Sequence, residues 1–304
     1  MMRPTVALKI DVDTDVGTRD GVPRLIEILQ ERDLPGTFLF SLGPDNTGKA
    51  IRRIFRPGFL KKVRRTKVGS VYGWRTLLSG TLLPAPLIGK RRADILRYVR
   101  DSGYEVGVHC YDHFKWQDYV HRFDLDQTRR EFGKAVSEFK RIFGEPPSTA
   151  GAPGWQANAR TLQVYDEYKL LYGSDTRGSY PFFPKVNGRR YDTLQVPTTL
   201  PTLDELLGRP EYPEISLPDH YLGLLNPDSP NVWTIHAEIE GQAKSDLFIQ
   251  ILDKLMTAGV HFTEMRDIAV DAITRLGAVA ASEIADKEID GRSGIVAQQA
   301  SLVV

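Results

Sequence analysis

Two histidines four residues apart, His109 and His113, are the pair in this chain best suited to grip a transition metal, because neutral imidazole is the commonest protein ligand for one. On a helical turn, or a tight loop imitating one, residues i and i+4 face the same side. The β-prone run from Tyr104 to Val108 precedes them, so the pair sits just past the C-terminal end of a strand. Other ionisable groups stand in the same kind of place. Asp11 and Asp13 close the run Thr5 to Val12, Asp175 follows Leu170 to Gly173, and His236 follows Val232 to Ile235. Alternation along a strand turns Asp11 and Asp13 to one side, and two adjacent acids there are costly unless something cationic holds them. Two imidazoles and one carboxylate around a divalent ion leave open positions for water and substrate. A second carboxylate can then take a proton from water whose pKa the ion has lowered, and an imidazole opposite can protonate a leaving amine. Each group has a plainer reading, a polar helix face or a capped turn. Delivery of one at each of four strand ends favours a single site.

The elements that would carry these groups follow a β–α rhythm. Thr5 to Val12 is a buried-strand pattern, Gly21 to Asp33 a helix with Leu25, Ile26, Ile28 and Leu29 on its apolar side, and Gly36 to Phe40 a second strand. After an interruption come a helix (Ala93 to Ser102), the strand before His109, a long helix (Asp126 to Phe143, stopped by Gly144), the turn Ala152-Pro153-Gly154-Trp155 and a helix (Ala157 to Tyr168). Thr193 to Val196 and Val260 to Thr263 are further strands, and Ser245 to Ala258 and Met265 to Leu276 helices. Pro197 to Pro230 reads as proline-rich loop. From Gly277 onward the chain is small and polar without periodicity, which predicts a mobile tail over 277–304. The pattern is that of a parallel α/β domain spanning 1–276, with its site at one rim of a barrel-type fold.

The interruption is chemically distinct. From Lys49 to Arg92 there are thirteen basic residues and no acid, although the whole chain of 304 residues carries a net charge of only +1. Apolar and aromatic side chains lie among them, then the run Leu77 to Ile88 broken by Pro84 and Pro86. An amphipathic basic insertion over 44–92 of this kind suits an anionic membrane surface, with Lys61, Lys62, Arg64, Arg65 and Trp74 as lipid-facing candidates. Nucleic acid attracts the same charges, but the Leu-Leu-Pro-Ala-Pro-Leu-Ile run suits lipid better, and no nucleic-acid partner is expected. Composition, 41% hydrophobic and 26% charged, is that of an ordinary globular protein, and the single cysteine, Cys110, suits a reducing compartment. With no leader and no run long enough to span a bilayer, the expected address is cytoplasmic.

Two rival chemistries share parts of this inventory. Asp-x-Asp after a strand occurs in aspartyl-phosphate phosphatases, but their threonine falls two places after the second Asp, whereas Thr14 adjoins Asp13, and the histidines would be idle. Two histidines and a carboxylate also bind non-haem iron in oxygenases, on β-sandwich scaffolds that the β–α rhythm contradicts. The residues instead resemble the polysaccharide deacetylase family, also called NodB-homology or carbohydrate esterase family 4, along about 5–270. Its first motif is matched by Ile10-Asp11-Val12-Asp13-Thr14, its second by His109 through His113, its third by Ala152-Pro153-Gly154-Trp155, its fourth by Asp175 and its fifth by Thr234-Ile235-His236. The resemblance implies an irregular (β/α) barrel of the NodB type, Asp11 as base, Asp13, His109 and His113 as ligands of one divalent ion, His236 as acid, and Asp175 as the group orienting His236. The arginine that steadies the base in this family is missing at the third motif, where Ala150 and Gly151 stand; Arg177 or Arg19 would have to substitute.

Further stretches narrow the resemblance: Gly17-Thr-Arg-Asp-Gly-Val-Pro-Arg24, Gly43-Pro-Asp-Asn46, Tyr72-Gly-Trp74, Pro197-Thr-Thr-Leu-Pro201 and Thr234-Ile-His-Ala-Glu238. They are similar to the branch of the family that removes the formyl group from 4-deoxy-4-formamido-L-arabinose carried on undecaprenyl phosphate, in lipid A modification with aminoarabinose. This implies a metal-dependent hydrolase of a linear amide, peripheral at the cytoplasmic face of the bacterial inner membrane, with Arg177 and Glu238 as further substrate-facing candidates. The basic insertion would then be the arm by which the domain finds a phospholipid-linked substrate. His/His/Asp serves Zn²⁺, Co²⁺, Mn²⁺ or Fe²⁺ alike. A deacetylase of another N-acylated amino sugar, or an idle membrane-surface module, are the alternatives; intact Asp11, Asp13, His109, His113 and His236 speak against the idle one.

Overall fold

The computed structural model describes residues 3–49, 79–81, 83–275 and 279–300. Lys61, Lys62, Arg64, Arg65 and Trp74, and with them most of the basic insertion, lie outside the described residues.

Strand β1 (Thr5–Val12) is the centre of the molecule. It is a near-continuous apolar run buried from Val6 onward, as a strand covered on both faces must be. Strands β2 (Thr37–Ser41), β3 (Glu105–Cys110), β4 (Thr149–Ala150) and β5 (Tyr172–Gly173) follow it in parallel, one after another. A small antiparallel ribbon, β6 (Phe183–Val186) and β7 (Arg189–Arg190), precedes β8 (Leu194–Gln195), which pairs with β5. Strand β9 (Asn231–His236) runs parallel to β1 along Val6 to Asp11, and β10 (His261–Thr263) pairs with the first residues of β1. Between β8 and β9 the wall is closed only by single bonds, such as Leu200 N–H to Val232 O at 3.1 Å and Val232 N–H to Thr199 Oγ1 at 2.9 Å. The result is an irregular (β/α) barrel with amphipathic helices outside it. The longest, Leu125–Phe143, shows the local logic: Asp124 and Gln127 form a capping box at its start, and Gly144, at φ 84°, ends it.

Three expectations need correction. The segment 197–230 is not plain loop. Thr202 and Glu205 cap a helical turn at Leu203–Leu206, and Pro218, tolerated in a first turn, opens the helix Leu217–Leu224. Residues 279–300 of the expected tail form paired strands. Strand β11 (Ala281–Glu288) pairs in parallel with β6, and β12 (Ile295–Gln299) returns antiparallel to it. Its order comes from backbone pairing onto the exposed edge of β6 and from tethers such as Arg177 N–H to Ala297 O at 2.9 Å, not from an apolar stripe. Finally, of the two settings expected for His109 and His113 the structure has the tight loop and not the helical turn, and the pair does not lie wholly past the strand. His109 ends β3, whereas His113 opens the helix His113–Tyr119, whose N-terminus is capped by the Asp112 carboxylate accepting from Lys115 N–H.

Candidate metal centre

The two histidines still converge. The reversal at Tyr111 and Asp112 folds the start of the helix back over the end of β3, leaving the imidazole centroids 5.3 Å apart. Asp13, one residue beyond β1, lies between them: Oδ1 is 3.2 Å from His109 Nε2 and Oδ2 is 3.4 Å from His113 Nε2. One ligand atom from each of the three falls within 4.8 Å of the others. A tetrahedral or octahedral ion needs donors at this mutual spacing, so the residues present fit a divalent cation bound by two nitrogens and one oxygen. Burial disfavours the charge on Asp13, but His113, the His109 hydrogen bond and His236 together outweigh it and hold the carboxyl far below the usual carboxylate range. His109 responds the other way: burial disfavours its charged form, and Asp11 and Asp13 outweigh burial and raise its pKa.

Asp11 is 4% exposed and sits beside this cluster, with Oδ1 3.7 Å from His109 Nδ1. His236 is its cross-strand partner in the β1–β9 ladder, and the next rung is Ala237 N–H to Asp11 O at 3.1 Å. His236 N–H donates to Glu240 Oε2 at 2.8 Å. Base and acid candidates thus come from neighbouring strands and face the same rim as Asp13.

The remaining site candidates lie elsewhere than expected. Asp175, fully buried, accepts from Ala152 N–H at 2.6 Å and Tyr165 O–H at 3.0 Å through Oδ1, and from Gln195 Nε2 at 2.9 Å through Oδ2. Its carboxylate is committed to the wall of the site and not to His236, whose Nδ1 has no hydrogen-bond partner among the described residues. Burial pushes the Asp175 carboxyl above its ordinary pKa. Glu238, expected to face substrate, is committed to the wall of the site. It is 1% exposed, and Oε1 accepts from Asp13 N–H, Thr14 N–H and Thr14 Oγ1 at 2.7–3.1 Å, tying the end of β9 to the end of β1. Gly17 has no room for a side chain there: a Cβ would lie 2.0 Å from Glu238 Oε1. Burial first, and then the Asp13 charge, push the Glu238 carboxyl up to about 8.

Neither arginine replaces the missing one. Arg177 is paired with Glu205 at 2.8 Å and lies over the Trp155 ring, 5.0 Å from its centroid; Arg19 is spent on Asp20. The cation beside Asp11 is Lys9, whose Nζ is 3.2 Å from Asp11 Oδ2. Sequence reading missed it, although a signal existed: a lysine in the middle of an otherwise apolar buried strand, two places before an aspartate, points to the same side as that aspartate. Trp155 was read only as part of a turn. It takes a left-handed backbone (φ 52°), donates Nε1–H to Thr198 Oγ1 at 3.0 Å, and is flanked by Arg177 and by Arg292 of the β11–β12 hairpin, 4.4 Å from its ring centroid.

A family model described as polysaccharide deacetylase matches residues 3–173, more than half the chain. Two curated relatives are similar over nearly the whole length. One, from Shewanella sediminis (strain HAW-EB3), is 38% identical over 98% of this chain and 95% of its own; the other, from Wigglesworthia glossinidia brevipalpis, is 31% identical over 95% of this chain and 100% of its own. Each is named probable 4-deoxy-4-formamido-L-arabinose-phosphoundecaprenol deformylase ArnD. Among solved structures, PuuE allantoinase (TM-score 0.59, 16% identity, 90% of this chain and 92% of that one) shares the fold. So does a CE4 family pseudoenzyme from Bacillus anthracis (TM-score 0.53, 13% identity, 88% and 66%), so fold likeness alone does not establish an active site. The family match and the near-full-length relatives carry the assignment: the chain belongs to the polysaccharide deacetylase family and is, with it, a hydrolase of amide bonds.

Proposed function

We propose that this chain removes the formyl group from 4-deoxy-4-formamido-L-arabinose carried on undecaprenyl phosphate, at the cytoplasmic face of the inner membrane, in the modification of lipid A with aminoarabinose. The observation that carries this reading is the convergence of Asp13, His109 and His113 beside the paired Asp11 and His236, in a chain 38% identical to a protein named for that reaction.

A divalent ion held by Asp13, His109 and His113 would polarise the formamide carbonyl and lower the pKa of water. Asp11 takes the proton of the attacking water. His236, on the adjacent strand, gives a proton to the sugar nitrogen as the C–N bond breaks, so that formate and a free amine leave. Asp175, Tyr165 and Gln195 keep the wall behind Ala152 rigid, and Glu238 locks the loop that carries Asp13. The arm over 44–92 brings the domain to anionic lipid. No helix among the described residues is long and apolar enough to cross a membrane.

The test is formate release from synthetic undecaprenyl-phosphate formamidoarabinose by metal-loaded protein, with the acetamido analogue in parallel. Release of formate with little acetate supports the reading. Acetate release alone moves the chain to another N-acyl sugar. Absence of stoichiometric metal in the purified protein would instead mark an idle module.

A further inference from the structure

Lys9 is completely buried, in the middle of β1. A charge there is costly unless paired and hydrogen-bonded. Its ammonium meets Asp11 Oδ2 at 3.2 Å, donates to Ser174 O at 3.2 Å and stands 5.5 Å from the Trp155 ring centroid. Asp11 Oδ1 has no hydrogen-bond partner among the described residues. One carboxylate oxygen is therefore tethered, and the other makes no hydrogen bond and lies 3.7 Å from His109 Nδ1. The stem of Lys9 also fills a particular space: a Cβ on Gly151 would lie 3.0 Å from Lys9 Cε, 2.5 Å from Leu39 Cδ1 and 3.1 Å from Ser174 O. A Cβ at 151 would therefore crowd Leu39 and Ser174 as well as the lysine stem.

We propose that Lys9 is the positioning residue for Asp11, tethering Oδ2 so that Oδ1 is aimed at the proton it receives. The inference rests on Asp11 acting as the base in the amide hydrolysis proposed above. Because Lys9 and Asp11 are two residues apart on one face of one strand, their relation is set by the strand itself and not by a loop.

The test uses the metal-loaded full chain and the variants Lys9→Met, Lys9→Gln and Lys9→Arg. Misaiming a reacting group by about 1 Å costs on the order of 10²-fold. Lys9→Met is therefore expected to lower kcat by about 10²-fold with KM and bound metal nearly unchanged. Lys9→Arg should restore most of the rate. Should Lys9→Met not fold, Lys9→Gln, which keeps a donor, is expected to lose kcat in the same sense. Crystal structures of the same variants provide a readout apart from turnover: the Asp11 carboxylate should turn in Lys9→Met or Lys9→Gln and stay in place in Lys9→Arg. Wild-type kcat in Lys9→Met, or an Asp11 carboxylate that stays put without its cation, would overturn the proposal. Wild-type protein that releases no formate would sink the functional reading instead, and the carboxylate geometry would still decide the role of Lys9.

Discussion

At the scale of single residues, the proposed metal ligands and the proposed proton-transfer groups can be separated. Asp13 is pinned between His109 and His113, whereas Asp11 contacts a buried lysine and only the far side of His109. Asp11→Asn and His236→Ala are accordingly expected to lower kcat by roughly 10²–10⁴-fold, the usual share of general acid–base catalysis, while metal stoichiometry stays near wild type. Turnover and elemental analysis on the same samples check this. Loss of metal from Asp11→Asn, with the rate regained on adding metal back, would mean that the two aspartates have exchanged roles. The motif residues were legible because each stands at a strand end, where spacing and chemistry coincide. Asp175 was read as orienting His236, and Lys9 was not singled out although its spacing from Asp11 on one strand was legible; what each meets across the barrel was not. No pattern along the chain places the Lys9 ammonium against Ser174, or the Asp175 carboxylate against Tyr165 and Gln195.

At the scale of elements, two π-helical turns, Gly17–Gly21 and Ile239–Ala243, press together behind the site; a Cβ on Gly241 would lie 2.5 Å from Gly21 O. Glu240 is buried at this seam, caps His236 N–H, and is pushed by burial up to about 8 from 4.5. Between those values the folded chain holds a proton that the unfolded chain has released, so stability falls as pH rises from about 4.5 towards about 8. Glu240→Gln, which keeps an acceptor for His236 N–H and cannot ionise, should match wild type near pH 5 and lose less stability on the way to pH 8. Thermal melts of both proteins across that range decide it; parallel curves would mean that Glu240 does not titrate in this window. The elements themselves were largely readable from apolar runs, caps and glycines. The β11–β12 hairpin was not, because Ala281–Glu288 carries four charged residues in eight and owes its strand form to the neighbouring edge of β6.

At the scale of the whole molecule, a nearly neutral chain concentrates thirteen basic residues in one insertion, and the ends of that insertion are tied to the catalytic rim. Arg92 forms a two-pronged pair with Asp15 at 2.8 Å, and Asn46 donates to Asp112, between the two metal histidines, at 2.7 Å. Each basic side chain near anionic lipid contributes about 1 kcal/mol, weakened by salt. Changing Lys61, Lys62, Arg64 and Arg65 to Ser should therefore weaken vesicle binding by up to about 4 kcal/mol and reduce turnover of the long-chain substrate. Turnover of a short, water-soluble analogue should be nearly unchanged. Co-sedimentation with phosphatidylglycerol vesicles at low salt, equal to wild type, would remove the membrane role from the arm.

The ladder between β1 and β9 has a consequence for how such an enzyme can fail. Asp11 and His236 occupy facing rungs at the end of the six-rung β1–β9 ladder, and Ala237 N–H closes the next rung on Asp11 O. Separating the proposed acid from the proposed base means opening this ladder, in which β1 is buried from Val6 onward, so it is expected to require unfolding of the barrel and not a local fluctuation. The Ala237 amide should consequently exchange with deuterium among the slowest in the chain. In increasing urea, activity should persist up to the transition at which the barrel itself opens. An earlier loss of activity, with Ala237 still protected, would place the weak point at the metal ligand His113, which belongs to a surface helix outside the ladder.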